Sequence, residues 1–194
     1  DLPVENLFDN SQTPIANAGT TLSILDTGVI ATVTSTGSNK YSAIKIPNIE
    51  KLLGKTVTIS ANIKASGTNN AYLRFYWVND NNLTTLLVQA INSTGSYSFN
   101  IPSEIPSGSN GLAILFSSNA SGTSSIGDYV EYTNVILQIG NKANAYTPYG
   151  TDPIELCKIG NYQDYFYKSG SKGYLHKEIG KVVLNGTEKW GQEQ

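Results

Sequence analysis

Between Val57 and Lys64 apolar and polar side chains alternate without a break, with Val57, Ile59, Ala61 and Ile63 set against Thr58, Ser60, Asn62 and Lys64. A period of two puts one set on each face of an extended chain, so this segment is a β-strand with a buried face and a polar one. The pattern returns in Tyr72 to Asn79, where Leu73, Phe75 and Trp77 point inward and Tyr72, Arg74 and Tyr76 point outward. Further strands are expected over Thr21–Leu25, Val29–Ser35, Tyr41–Ile46, Thr85–Ile91, Ser96–Ile101, Gly111–Ser117 and Tyr129–Ile139. Asp26-Thr27-Gly28 supplies a hairpin turn between the first two of these. Helical periodicity is nearly absent, apart from one turn over Asn48–Leu53, and residues 1 to about 20 read as an irregular lead-in broken by Pro3 and Pro14.

Composition agrees with an all-β chain. Charged residues make up 14 %, there are 12 Tyr, and Asn, Ser and Thr are abundant. Disordered chains lack such aromatic and β-branched content. A jelly-roll β-sandwich of about eight strands fits the spacing of the turns.

Charge marks a boundary at residue 150. Residues 151–194 carry six acidic and six basic side chains, against nine and seven in 1–150. The division is therefore a sandwich over 1–150 and a small β-hairpin connector over 151–194. Tyr165–Lys168 and Tyr174–Lys177 flank the turn Ser169–Gly173, and Ile179–Leu184 adds a third strand. A chain that opens on Asp1 and has no Met is expected to be part of something longer.

Several function classes drop out. A net charge of −2 with a single arginine offers no basic stripe for nucleic acid. No apolar run reaches the roughly 20 residues that span a bilayer, so no membrane insertion is expected. The lone Cys157 cannot form an internal disulfide. The carboxylates are sparse and fall at turns (Asp26, Asp80, Glu104, Asp128), and a Ser-His-Asp set would have to borrow His176 from the connector. The expectation is a protein that is not an enzyme.

Saccharide recognition needs flat aromatic faces and planar hydrogen-bonding groups. Tyr72, Arg74 and Tyr76 supply both on one strand face, and Arg74 can grip an anionic substituent such as a phosphate. If the preceding strand pairs beside them, Asn62 lies within reach and Asn79 closes the rim. The expected ligand-binding set is Asn62, Tyr72, Arg74, Tyr76 and Asn79. Trp77 shares its parity with Phe75 and belongs to the core, and Trp190 lies near the chain end.

Three landmarks carry a resemblance: Gly54-Lys55-Thr56-Val57-Thr58-Ile59-Ser60-Ala61, Tyr72-Leu73-Arg74-Phe75-Tyr76, and Asn134-Val135-Ile136-Leu137 with Tyr146-Thr147-Pro148-Tyr149. In this order they resemble the carbohydrate-binding-module sandwiches appended to glycosidases and phage tail proteins. Many such modules hold a structural calcium through an acidic residue before the Asn-Val of the last strand. Here that position is Thr133, so no cofactor is expected unless Asp128 or Glu131 substitutes.

The segment from Pro153 to Trp190 resembles minor tail and baseplate proteins of siphophages of streptococcal and lactococcal hosts. That resemblance implies a place on a virion and a further domain beyond the connector. It also implies other tail or baseplate proteins and host cell-wall polysaccharide as partners. The rival expectation is a purely structural spacer or docking domain with no sugar binding. A bacterial surface adhesin or glycosidase appendage comes third.

Overall fold

The alternating segments pair into two five-stranded antiparallel sheets in the computed structural model of the chain. The structure describes residues 5–66, 71–119, 125–150, 154–159, 162–169 and 172–177. The strands are β1 (Ala16–Ala18), β2 (Thr20–Leu25), β3 (Gly28–Val33), β4 (Lys40–Lys45) and β5 (Thr56–Ala65). They continue with β6 (Tyr72–Asn79), β7 (Asn82–Ile91), β8 (Gly95–Asn100), β9 (Gly111–Asn119) and β10 (Tyr129–Ile139). One sheet runs β1-β4-β9-β6-β7 and the other β2-β3-β10-β5-β8. The chain changes sheet at most connections, so each sheet is built from strands distant in sequence.

The two sheets form a β-sandwich because each offers one apolar face. Leu73, Phe75 and Trp77 of β6 meet Val57, Ile59 and Ala61 of β5 in one core cluster. Trp77 is buried there, as its parity requires. Phe116 of β9 packs edge-on against Tyr132 of β10, ring centroids 5.1 Å apart, and Phe75 lies 4.7 Å from Phe99. Each fully buried side chain of this size contributes roughly 1.5–3 kcal/mol by leaving water.

The lead-in is more structured than its breakers suggest. Ala16–Ala18 forms β1 on the edge of β4, and Leu7 and Phe8 are buried in the core. Asn6 is 1 % exposed and uses its full hydrogen-bonding capacity. Its Nδ2 donates to the carbonyls of Val135 and Thr147, at 2.9 and 2.8 Å. Its Oδ1 accepts from the N–H groups of Phe8 and Leu137, both at 3.0 Å. One amide thus joins the N-terminal segment, the last strand and the exit segment. The 3₁₀ turn Ile49–Lys51 falls where a helical turn was expected.

Residues 3–151 form one compact unit, and the chain from 152 onward belongs to a second. In the second unit β11 (Ile154–Ile159), β12 (Tyr162–Ser169) and β13 (Lys172–His176) make a small antiparallel sheet. The expected hairpin is β12–β13, with Tyr165 opposite His176 and Ser169 opposite Lys172. Its third described strand is Ile154–Ile159. The expected strand over Ile179–Leu184 and Trp190 lie outside the described residues.

Candidate saccharide groove

The outer face of the β1-β4-β9-β6-β7 sheet is not the uniformly polar surface that alternation alone suggests. Ala43 of β4, Val78 of β6 and Ala113 and Leu115 of β9 are buried on it, apart from the main core. Ile15, Ala16, Tyr41, Tyr76 and Leu83 pack around them. Small residues along the middle of the face, with tyrosines rising beside them, leave a depression rather than a flat sheet.

That depression is a cavity of about 330 Å³ lined by Tyr41, Arg74, Tyr76, Leu83, Leu115 and Ser117, with Asn39 and Thr84 at its ends. The register explains the convergence. β9 lies between β4 and β6, so Tyr41 and Tyr72 both stand opposite Ser117, and Arg74 stands opposite Leu115. Tyr76 follows two positions along β6, opposite Ala113. Two phenol rings and two leucines therefore border a cleft whose polar groups are a guanidinium, hydroxyls and an amide.

Arg74 is held in place without being neutralised. Its guanidinium lies 4.8 Å from the centroid of the Tyr72 ring, a cation–π contact. Its Nε donates to Gln89 Oε1 at 3.2 Å. Among the described residues the ion pair is Lys51 with Glu5, at 3.5 Å, and no carboxylate pairs with Arg74. Among the described residues no hydrogen bond engages the terminal nitrogens of the guanidinium.

Beneath the rim, Tyr132 crosses the core from β10. Its hydroxyl donates to the Ser117 carbonyl at 2.5 Å, with the Tyr72 carbonyl 3.2 Å away. Complete burial pushes its pKa far up, against the smaller opposing effect of the two carbonyls. The phenol stays protonated and fixes the backbone under the groove.

Of the five expected site residues, Tyr72, Arg74 and Tyr76 share this face, Arg74 and Tyr76 lining the cavity and Tyr72 supporting Arg74. Asn62 does not join them. The strand before β6 belongs to the other sheet, where Asn62 stands opposite Thr133 of β10. Asn79 has the parity of Trp77 and ends β6 opposite Asn82, beside the Asp80 turn, so it does not line the groove. Tyr41, Asn39, Leu115 and Ser117 were not anticipated. A tyrosine near the start of a strand, followed on the same parity by Ala43, was the available signal.

Asp128, beside β10, accepts a hydrogen bond at Oδ2 from the Ser125 N–H at 2.9 Å. Among the described residues no three of His, Cys, Asp and Glu gather. Among the described residues no helix is long and apolar enough to cross a membrane.

No family model matches the sequence, and no curated protein matches it. A solved structure of accessory secretory protein 1, 2 and 3 from Streptococcus pneumoniae is similar over 71 % of this chain and 96 % of that one. The identity is 13 % and the TM-score 0.38, too loose a superposition to carry an argument.

Proposed function

We propose that the chain is a non-catalytic carbohydrate-binding module of jelly-roll type that holds a cell-wall saccharide in the groove of Tyr41, Arg74 and Tyr76. The observation that carries this reading is the groove itself, with aromatic walls, an apolar floor and an arginine that no carboxylate neutralises among the described residues. Pyranose rings present an apolar face to an aromatic wall and hydroxyls to the polar rim. Arg74 suits a substituent carrying a phosphate or carboxylate.

Strand order supports the jelly-roll reading. β3-β10-β5-β8 facing β4-β9-β6-β7 is the arrangement that two interlocked Greek keys give. The sequence resemblances support a reading in which the module sits on a phage tail or baseplate and attaches the virion to a Gram-positive host alongside other tail proteins. Many weak copies on one virion give strong attachment through avidity.

The test is a calorimetric titration of the intact chain with soluble polysaccharide released from streptococcal or lactococcal walls. Saturable binding in the micromolar to millimolar range is expected. Tyr76→Ala and Arg74→Ala should each weaken it about tenfold, as loss of one central contact does. Unchanged affinity in both variants would remove the site from this groove.

A further inference from the structure

The outer face of the second sheet carries another depression, of about 350 Å³, between β5, β8, β10 and the exit segment around Asn144 and Tyr146. Asn62 of β5, Ser96 of β8, and Asn134 and Ile136 of β10 line it. No charged residue does.

Two features bear on what it could hold. The first is unused hydrogen-bonding capacity. Among the described residues the side-chain amides of Asn62, Asn134 and Asn144 make no hydrogen bond, although they gather around one cavity. Three amides offer donors and acceptors in planar pairs, the geometry that neighbouring hydroxyls of a sugar satisfy.

The second feature is rigidity. Asn134 sits in the left-handed region at φ 50, where the pairing of β10 with β5 shifts register between Thr133 and Ile136. The β2–β3 turn holds it there. The Asn134 N–H donates to Thr27 Oγ1 at 3.3 Å and the Val135 N–H to the Thr27 carbonyl at 3.0 Å. Tyr146 supplies an aromatic wall, its hydroxyl donating to the Asp26 carbonyl at 3.3 Å. Burial, and then the nearby Asp26 carboxylate, raise its pKa. The Ile136 side chain, 1 % exposed, gives a small apolar floor.

We infer that this cavity is a second saccharide site, specific for neutral sugars and independent of the Arg74 groove. Convergent amides, an aromatic wall and the absence of charge suit hydroxyl-rich, uncharged ligands, whereas the Arg74 groove suits an anionic substituent. The two sites lie on the outer faces of opposite sheets. One module therefore engages two saccharide segments at once. Asn62 is a binding residue in this reading, on the opposite face from Arg74.

The experiment is a ¹⁵N-edited NMR titration of the intact chain. The probes are methyl glucoside, methyl galactoside, N-acetylglucosamine and rhamnose, with glucose 1-phosphate as the anionic counterpart. Each is added up to about 100 mM, enough to fill sites of millimolar Kd. The neutral probes should move the amides of Asn62, Ser96, Asn134 and Asn144 along saturable curves. Asn62→Ala and Asn144→Ala, both at solvent-accessible positions, should weaken that response about tenfold each, the effect of one lost hydrogen bond. Neither variant should alter shifts at Arg74, Tyr76 and Ser117.

Shifts confined to the Arg74 groove would overturn the second site and leave the first standing. Shifts confined to the Asn62 cavity would do the reverse. A response at the cavity unchanged by both variants, or no response at either face, also counts against the second site.

Discussion

Tyr132 shows how one side chain joins core and site. Its ring fills the space beside Phe116, and its hydroxyl reaches the two strands that carry the groove. Burial raises its folded pKa well above the usual value near 10. The stability this gives is fully present below about pH 10 and lost as pH rises above it, because only the unfolded phenol releases its proton. For one such group the fall is about 1.4 kcal/mol per pH unit. Urea unfolding between pH 9 and 11 should therefore show a shallower decline in Tyr132→Phe, whose stability is lower at neutral pH. Equal slopes in the two proteins would show that Tyr132 does not carry this pH dependence. At this scale the sequence was partly legible. Period two gave the faces of Tyr72, Arg74, Tyr76 and Trp77 correctly, because parity is local. It could not reveal Asn6, whose four partners include Leu137 and Thr147, far along the chain.

Among the elements, the β2–β3 hairpin and the β10 irregularity work as a pair. Thr27 occupies the backbone groups that the register shift leaves out of the ladder. Gly28 follows because the strands approach too closely for a side chain there. A Cβ on Gly28 would lie 1.9 Å from the Tyr132 carbonyl oxygen and 3.1 Å from the Thr133 Cα. Gly28→Ala should cost about 3 kcal/mol, since the obstruction is backbone and cannot turn aside. A urea midpoint unchanged from the parent would contradict this close approach. The turn Asp26-Thr27-Gly28 was legible as a hairpin, but its docking against β10 was not. Turn chemistry is written in adjacent residues, whereas the bulge it serves lies about a hundred residues on. The misplacement of Asn62 has the same origin. Alternation states which face a residue occupies within a sheet but not which of two sheets its strand joins.

For the molecule as a whole, the two sheets present unlike outer faces, one with Arg74 among tyrosines and one with a cavity lined by amides and no charged side chain. The all-β class, the sandwich and the outward trio of β6 followed from period and composition. The groove did not, because β9 brings Leu115 and Ser117 between β4 and β6, segments far apart in the chain. The central claim is that this surface attaches the protein to a cell wall. It is tested most directly by labelling whole streptococcal and lactococcal cells with fluorescent protein clustered on beads. The expected result is bright labelling by the parent and strong loss in Tyr76→Ala and Arg74→Ala variants that keep the parent circular dichroism. Failure of the clustered parent to label any of these cells, despite avidity, would contradict adhesion and favour a purely structural role in its place.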